Sequence, residues 1–169
     1  METTHRNLPW HERLNVQKGD YGEELVKKIV EKSGFICYRS VTDGAHLVDF
    51  LWLNGKKFAF AAEVKTKPKF KNYPATGFDN RHYEQYKRFS EDTGIPVFVF
   101  FVDDCLKKIY GNFLHVLDEP REYCKMKYPG TFSRNRMTIR YYPLSAMVKI
   151  ADLSDEDINI LKARSMRNE

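Results

Sequence analysis

No stretch of about 18 consecutive apolar residues occurs in the chain, and Met1 to Trp10 hold no apolar core of the kind a signal peptide needs. Neither a membrane span nor a cleaved leader is expected, and the chain reads as soluble. Cysteine is scarce: Cys37, Cys105 and Cys124 are odd in number, widely spaced and without a CxxC. No disulfide framework or thiolate zinc site follows, and a reducing, cytoplasmic setting fits best. His5, His11, His46, His82 and His115 form no HExxH and no zinc-like pairing, which disfavours a zinc hydrolase; His46 reads as structural. A Walker loop and GxGxxG are both missing, so nucleotide-dependent chemistry has no support. Internal repeats and low-complexity tracts are absent as well.

What is present is an ordinary globular composition, with 42% hydrophobic and 30% charged residues over 169 positions. One domain of that size buries a core without disulfide or metal staples. The net charge of +5 and a pI near 9.0 favour an anionic partner, nucleic acid first. A 14% aromatic share suits a packed sheet and also offers rings for stacking on bases.

Residues 1–17 read as a polar arm with Pro9-Trp10 as its packing point, and residues 18–169 as a single domain. A helix is predicted from about Tyr21 to Lys32, capped by Asp20, with Leu25, Val26, Ile29 and Val30 as its apolar stripe and Ser33-Gly34 as its stop. Phe35 to Arg39 is a short strand. Two more strands, Ala45 to Leu53 and Phe58 to Lys65, meet at Asn54-Gly55, a strong reversal signal. Residues 72–78 read as a loop. A helix follows from Asp79, a predicted N-cap, to Asp92, closed by Thr93-Gly94. Ile95 to Val102, apolar on both faces, is predicted as a central strand. Ile109 to Leu117 is another strand, Asp118 to Arg136 a long irregular excursion, Met137 to Tyr142 a strand, and Ser154 to Ala163 a terminal helix with an acidic first turn.

The stretch that carries chemistry is Val48-Asp49-Phe50 through Glu63-Val64-Lys65. Period-2 alternation puts Glu63 and Lys65 on one face of their strand, so a carboxylate and an ammonium point the same way. With Asp49 they form a constellation suited to a divalent metal beside a phosphate. Taken singly, each residue is explained as well by an exposed charged face or a turn polar group; the ordered set is what points to a site. Lys65, Lys67, Lys69 and Lys71 then alternate without an acid among them, either as a solvated run or as a neutraliser of phosphates. Lys125, Lys127, Arg134 and Arg136 among Tyr123, Tyr128 and Phe132 offer the same choice between a loop packed by its rings and a grip on a nucleic-acid backbone.

The order of a Glu-bearing helix, a strand, an Asp strand, a Glu-x-Lys strand, a helix and a strand resembles the PD-(D/E)xK nuclease superfamily. Lys18-Gly19 with Glu23, Glu31-Lys32-Ser33-Gly34-Phe35, Arg39-Ser40, Asn54-Gly55-Lys56-Lys57 and Gly94-Ile95-Pro96-Val97 are similar to its archaeal-type Holliday-junction resolvases, over roughly 18–102. Thr76-Gly77-Phe78-Asp79 with Tyr83 and Tyr86 is similar to phage-type nucleases of the superfamily, which would place the enzyme in a bacterial host cell. Val48 stands where the superfamily name has proline, and the chain beyond Asp104 is longer than a minimal resolvase.

The resemblance implies an α/β, restriction-endonuclease-like core, a central mixed sheet flanked by helices. Residues 18–104 would form that core and 105–169 would add strands, a basic loop and a helix. It implies a DNA endonuclease in which Asp49, Glu63 and the Val64 carbonyl bind Mg²⁺ or Mn²⁺. Lys65 would orient the nucleophile, and Glu23 would hold a metal water or a second ion, with Glu24 as the alternative if the helix is rotated. Lys67, Lys69, Lys71, Gln85, Arg134 and Arg136 would contact DNA, and a homodimer would serve symmetric cutting of a junction. Two other classes stay open: a DNA-binding or regulatory protein that has lost cleavage, and a protein whose basic surface serves a protein partner.

One demand is sharp. A two-residue Asn54-Gly55 turn pairs Leu53 with Lys56 and places Asp49 opposite Phe60, on the face away from Glu63 and roughly 10 Å short of it at about 3.3 Å per residue. Asp49 can meet Glu63 only if the reversal centres nearer Lys56 or a bulge slips the register by an odd number. Failing both, Asp43 becomes the candidate.

Overall fold

The structure, a computed structural model, describes residues 9–39, 46–123, 126–134 and 137–165. A turn of 3-10 helix at Trp10–Glu12 leads into α1 (Leu14–Lys32), followed by β1 (Ile36–Tyr38), β2 (Phe50–Asn54), β3 (Lys57–Thr66), β4 (Ala75–Asp79) and α2 (Asn80–Thr93). Then come β5 (Val97–Asp103), β6 (Lys108–Phe113), the single-turn α3 (Leu114–Leu117), β7 (Arg121–Tyr123), β8 (Met126–Tyr128), β9 (Gly130–Arg134), β10 (Met137–Pro143), β11 (Val148–Asp152) and α4 (Asp155–Ala163).

Six strands form a mixed sheet in the order β1-β2-β3-β5-β6-β11. Only β3 and β5 run parallel within it, and α2 lies in the connection between them. Central β5 is buried along its whole length, as an apolar run with covered faces requires. On one side, Leu25, Val26 and Val30 of α1 and Ile158 and Leu161 of α4 pack on Phe50, Trp52, Ala62 and Val64. On the other, Tyr83 and Tyr86 of α2 and Phe78 and Tyr142 of the second sheet pack on Ala61, Val99 and Phe101. Each fully buried large side chain, Trp52 and Tyr142 among them, contributes about 1.5–3 kcal/mol. The fold is therefore a central mixed sheet flanked by helices. Among the described residues no helix is long and apolar enough to cross a membrane.

Where local chemistry is strong, the elements fall where the sequence places them. The Asp79 carboxylate caps α2 at the Arg81 amide, Gly94 closes that helix, and Ser154 with Asp157 forms a capping box on α4. Four readings are corrected. Helix α1 begins at Leu14, seven residues early, so Asp20 lies inside it, and residues 10–12 and 14–17 of the supposed arm are helical. Strand β6 ends at Phe113, and Leu114–Leu117 is helical. The irregular excursion contains β7, β8 and β9, and β11 was not predicted at all.

The fourth correction is β4. Residues 72–78 read as a loop because of Pro74 and Gly77, yet Ala75–Asp79 pairs antiparallel with β10, which also pairs with β9. The glycine marks a close approach: a Cβ on Gly77 would lie 2.1 Å from the Arg140 carbonyl oxygen, a backbone atom. Gly77→Ala is expected to destabilise the protein by about 2 kcal/mol or more. Gly19→Ala, in α1 with nothing within 4 Å of the new Cβ, is expected to be neutral or stabilising by up to about 1 kcal/mol. Thermal unfolding of the pair checks this, and equal melting points would remove the close-approach argument.

Behind β4 a polar latch joins α2, α3 and β10. The Arg140 guanidinium lies 3.8 Å from the Tyr83 ring centre and donates to Asp118 at 2.8 Å, and the Tyr83 hydroxyl donates to Asp118 at 2.8 Å.

Candidate active site

The site begins with the β2–β3 hairpin. Its turn residues are Gly55 and Lys56, because Asn54 pairs with Lys57 and Leu53 with Phe58. The turn thus sits one residue further along than a simple Asn54-Gly55 reversal, which moves every pairing partner by two. A bulge between Trp52 and Leu53 then slips the ladder once more, pairing Trp52 with Phe60 and Phe50 with Ala62. The total of three is odd. Continued one residue past β2, this register sets Asp49 across from Glu63, and the Asp49 amide does donate to the Ala62 carbonyl at 3.0 Å. The reversal is therefore not the simple Asn54-Gly55 turn, and both the shift toward Lys56 and the bulge bring the pairing that Asp49 requires. Asp43 lies outside the described residues.

Asp49, Glu63 and Lys65 lie on the α2 side of the sheet. The Asp49 carboxylate accepts from the Val64 amide at 2.7 Å. In an extended strand a residue's N–H and C=O point to the same edge, so the Val64 carbonyl also points toward Asp49 rather than toward β5. Glu63 is 6% exposed. Lys65 donates from Nζ to the Glu63 carboxylate and, at 3.2 Å, to the Tyr86 hydroxyl, which is itself hydrogen-bonded to Glu63. Carboxylate, ammonium and phenol close a triangle that fixes all three.

Glu23 reaches the same region from α1. A Cβ on Gly22 would lie 1.8 Å from Thr66 Oγ1, so the missing side chain is what lets α1 lie against the end of β3. The Glu23 side chain is 15% exposed and that of Glu24 46%, and it is Glu23 that feels the charge of Asp49 and whose own charge is felt by Glu63. Arg39 pairs with Glu23 and lies 3.7 Å from Glu24, with its guanidinium over the Phe50 ring.

Three carboxylates therefore meet two cations in a mostly buried place. Burial, then repulsion from Glu63, raises the Asp49 carboxyl to about 7. Burial, then repulsion from Asp49, raises Glu23 to about 7. Burial also pushes Glu63 up, against the pull of Lys65. Acids held reluctant to ionise by one another are what a cation relieves, and an all-oxygen set of Asp49, Glu63 and the Val64 carbonyl fits Mg²⁺ or Mn²⁺. Asp103, Asp104 and Cys105 also bring their ligand atoms within 4.8 Å of one another. They fit a metal poorly: both Asp103 oxygens are filled by the amides of Lys69, Cys105 and Leu106 and the Tyr110 hydroxyl, and Asp104 holds Lys18 at 2.8 Å.

The basic row is reshaped. Strand β3 ends at Thr66, so the alternation of Lys65, Lys67, Lys69 and Lys71 does not continue along one face. Lys67 is half-buried on the Gly77 carbonyl, Lys69 donates to the Phe70 carbonyl at 3.1 Å, and Lys71 is exposed. Gln85 is exposed on α2, beside Arg88 and Leu47. Arg134 is the last residue of β9, and Arg136 lies outside the described residues. Sequence reasoning missed the polar role of Tyr86, whose ring packs in the core while its hydroxyl joins Glu63 and Lys65. It also gave Arg39 no role. A tyrosine on a helix's apolar stripe carries no signal that its hydroxyl will find a carboxylate.

No protein-family model and no curated protein matches the chain. Among solved structures it is similar to the Holliday junction resolvase of the archaeal hyperthermophile Archaeoglobus fulgidus. The two share a TM-score of 0.53 at 17% identity, over 79% of this chain and 97% of the resolvase. At that identity the likeness is one of fold, and the fold is the restriction-endonuclease-like arrangement of a mixed sheet flanked by helices.

Proposed function

We propose that the protein is a metal-dependent endonuclease that hydrolyses phosphodiester bonds in DNA, with branched DNA of the Holliday-junction kind as the first substrate class to test. The observation that carries this reading is the odd register shift of the β2–β3 hairpin, which sets Asp49 across from Glu63 and beside Lys65. The likeness to an archaeal resolvase supports it at the level of fold.

Asp49, Glu63 and the Val64 carbonyl would hold the ion. Mg²⁺ or Mn²⁺ bound there supplies a Lewis acid that lowers the pKa of water and offsets charge on the phosphate. Lys65, braced by Glu63 and Tyr86, positions the attacking water and stabilises negative charge as it develops. Glu23, tied by Arg39, orients a further water at the rim or assists a second ion. Lys71 and Gln85, both exposed, and Arg134 on β9 are the outlying candidates for DNA contact. A second copy of the chain would be required to cut a junction symmetrically.

The test is cleavage of a synthetic four-way junction, a linear duplex and single strands of the same sequence, with Mg²⁺ or Mn²⁺, by wild type and Glu63→Ala. Cutting by wild type alone supports the reading, and preference for the junction assigns the resolvase branch. If wild type cuts neither DNA nor RNA, the enzyme reading fails; salt-sensitive DNA binding would then point to a protein that binds without cutting.

A further inference from the structure

Lys67 is a half-buried ammonium without a counter-ion among the described residues. No carboxylate among the described residues lies within 4.0 Å of it, whereas Lys18, Lys65 and Arg140 each have one. Its Nζ donates instead to the Gly77 carbonyl, which is held in place by the pairing of Gly77 with Tyr141 in β10. The Phe70 ring lies 6.0 Å away. Burial, and then the charge of Lys65, lowers its pKa to about 8, so near neutral pH it still carries most of its charge at a cost to the fold. A lysine that serves only packing would stabilise the protein more as methionine, and one that serves only solubility would be exposed.

Lys67 follows Lys65 by two, one residue past the end of β3 at Thr66, and its amide still donates to the Val102 carbonyl of β5 at 3.0 Å. Lys65 is occupied by Glu63 and Tyr86; Lys67 has donors to spare, because a carbonyl takes one of its three protons. Strand β4 thus seats a second ammonium two residues beyond the first.

We propose that Lys67 is the seat for the phosphate next to the one that is cleaved, so that Lys65 and Lys67 set the register of the DNA backbone across the site. The inference rests on the nuclease reading and adds to it the position of the strand. A charge-assisted contact to phosphate compensates the ammonium that the fold leaves unpaired. Free protein therefore carries a strain that bound DNA removes.

The test uses Lys67→Met and a junction whose cut position has been mapped on wild type. With Ca²⁺ in place of Mg²⁺, Lys67→Met is expected to bind the junction about tenfold more weakly, with the slope of log affinity against log salt reduced by about one. Its melting temperature is expected to equal or exceed that of wild type, so that weaker binding is not a loss of fold. As an arm that needs no variant, a neutral methylphosphonate replaces the phosphate on either side of the cut. At one of the two positions wild type should lose about the same factor, and Lys67→Met should be indifferent to the change. Wild-type affinity and salt slope in Lys67→Met, or equal sensitivity of both proteins to the methylphosphonate, overturns the proposal while leaving the nuclease reading intact. Should wild type neither bind nor cut DNA, the nuclease reading falls and takes this one with it.

Discussion

Glu63→Gln is expected to lower the cleavage rate by about a thousandfold or more while the protein stays folded. Glu63 is 6% exposed on the inner part of β3, so the substitution keeps the shape of the side chain and its capacity to accept from Lys65 and Tyr86. What it removes is charge. An amide oxygen is a weaker ligand for a divalent ion than a carboxylate, and Lys65 loses the anion that holds it beside Asp49. Stability should change little, because ionising a buried Glu63 opposes folding while the amide, which never ionises, takes away the counter-ion of Lys65 but keeps its hydrogen bond. Single-turnover cleavage with Mn²⁺, read beside thermal unfolding, separates chemistry from fold. Cleavage within about tenfold of wild type by a folded Glu63→Gln would dismiss Glu63 from the mechanism.

Metal-free protein is expected to be less stable at pH 8 than at pH 5, by on the order of 3 kcal/mol, or roughly 5–10 °C in melting temperature. The sign follows from Asp49 and Glu23. Each carboxyl is raised to about 7 in the folded protein, against about 4 in an unfolded chain. Between those values the folded state binds more protons than the unfolded state, so stability is highest below about 4 as far as these groups go, and drains away as pH rises through about 7. Mn²⁺ or Mg²⁺ should reverse the trend, stabilising strongly at pH 8 and hardly at pH 5. Metal affinity should fall about tenfold per pH unit below about 7 for each proton displaced. Asp49→Asn should flatten the metal-free pH profile and abolish metal stabilisation together. Melting curves in EDTA that rise steadily from pH 5 to 8 would contradict the shared burial of these acids.

Much of the frame is legible because it is written in local chemistry. Asp79 and Gly94 bracket α2, Ser154 opens α4, and the unbroken apolar run at Val97 announces a strand covered on both faces. The errors share a cause. Gly77 and Pro74 resemble loop punctuation, and only pairing with β10 reveals that the glycine is needed for a close backbone approach. Leu14 to Gln17 read as an arm because Gly19-Asp20 looks like a helix start; packing of α1 on the sheet carries the helix through it.

For the site, the sequence alone determined which side chains of β3 share a face, since Glu63 and Lys65 are two apart in an extended strand whatever surrounds them. It also determined that Asp49 could join them only by an odd slip of register. Whether that slip occurs was decided by tertiary structure: a turn moved to Gly55-Lys56 and one bulged residue let Phe50 and Trp52 pack inward on α1 and α4 while Asp49 turns to the opposite face. Tertiary structure alone also brought Glu23 from α1 toward Asp49 and Glu63, Tyr86 from α2 to Lys65, and the Gly77 carbonyl from β4 to Lys67. No local propensity relates these groups.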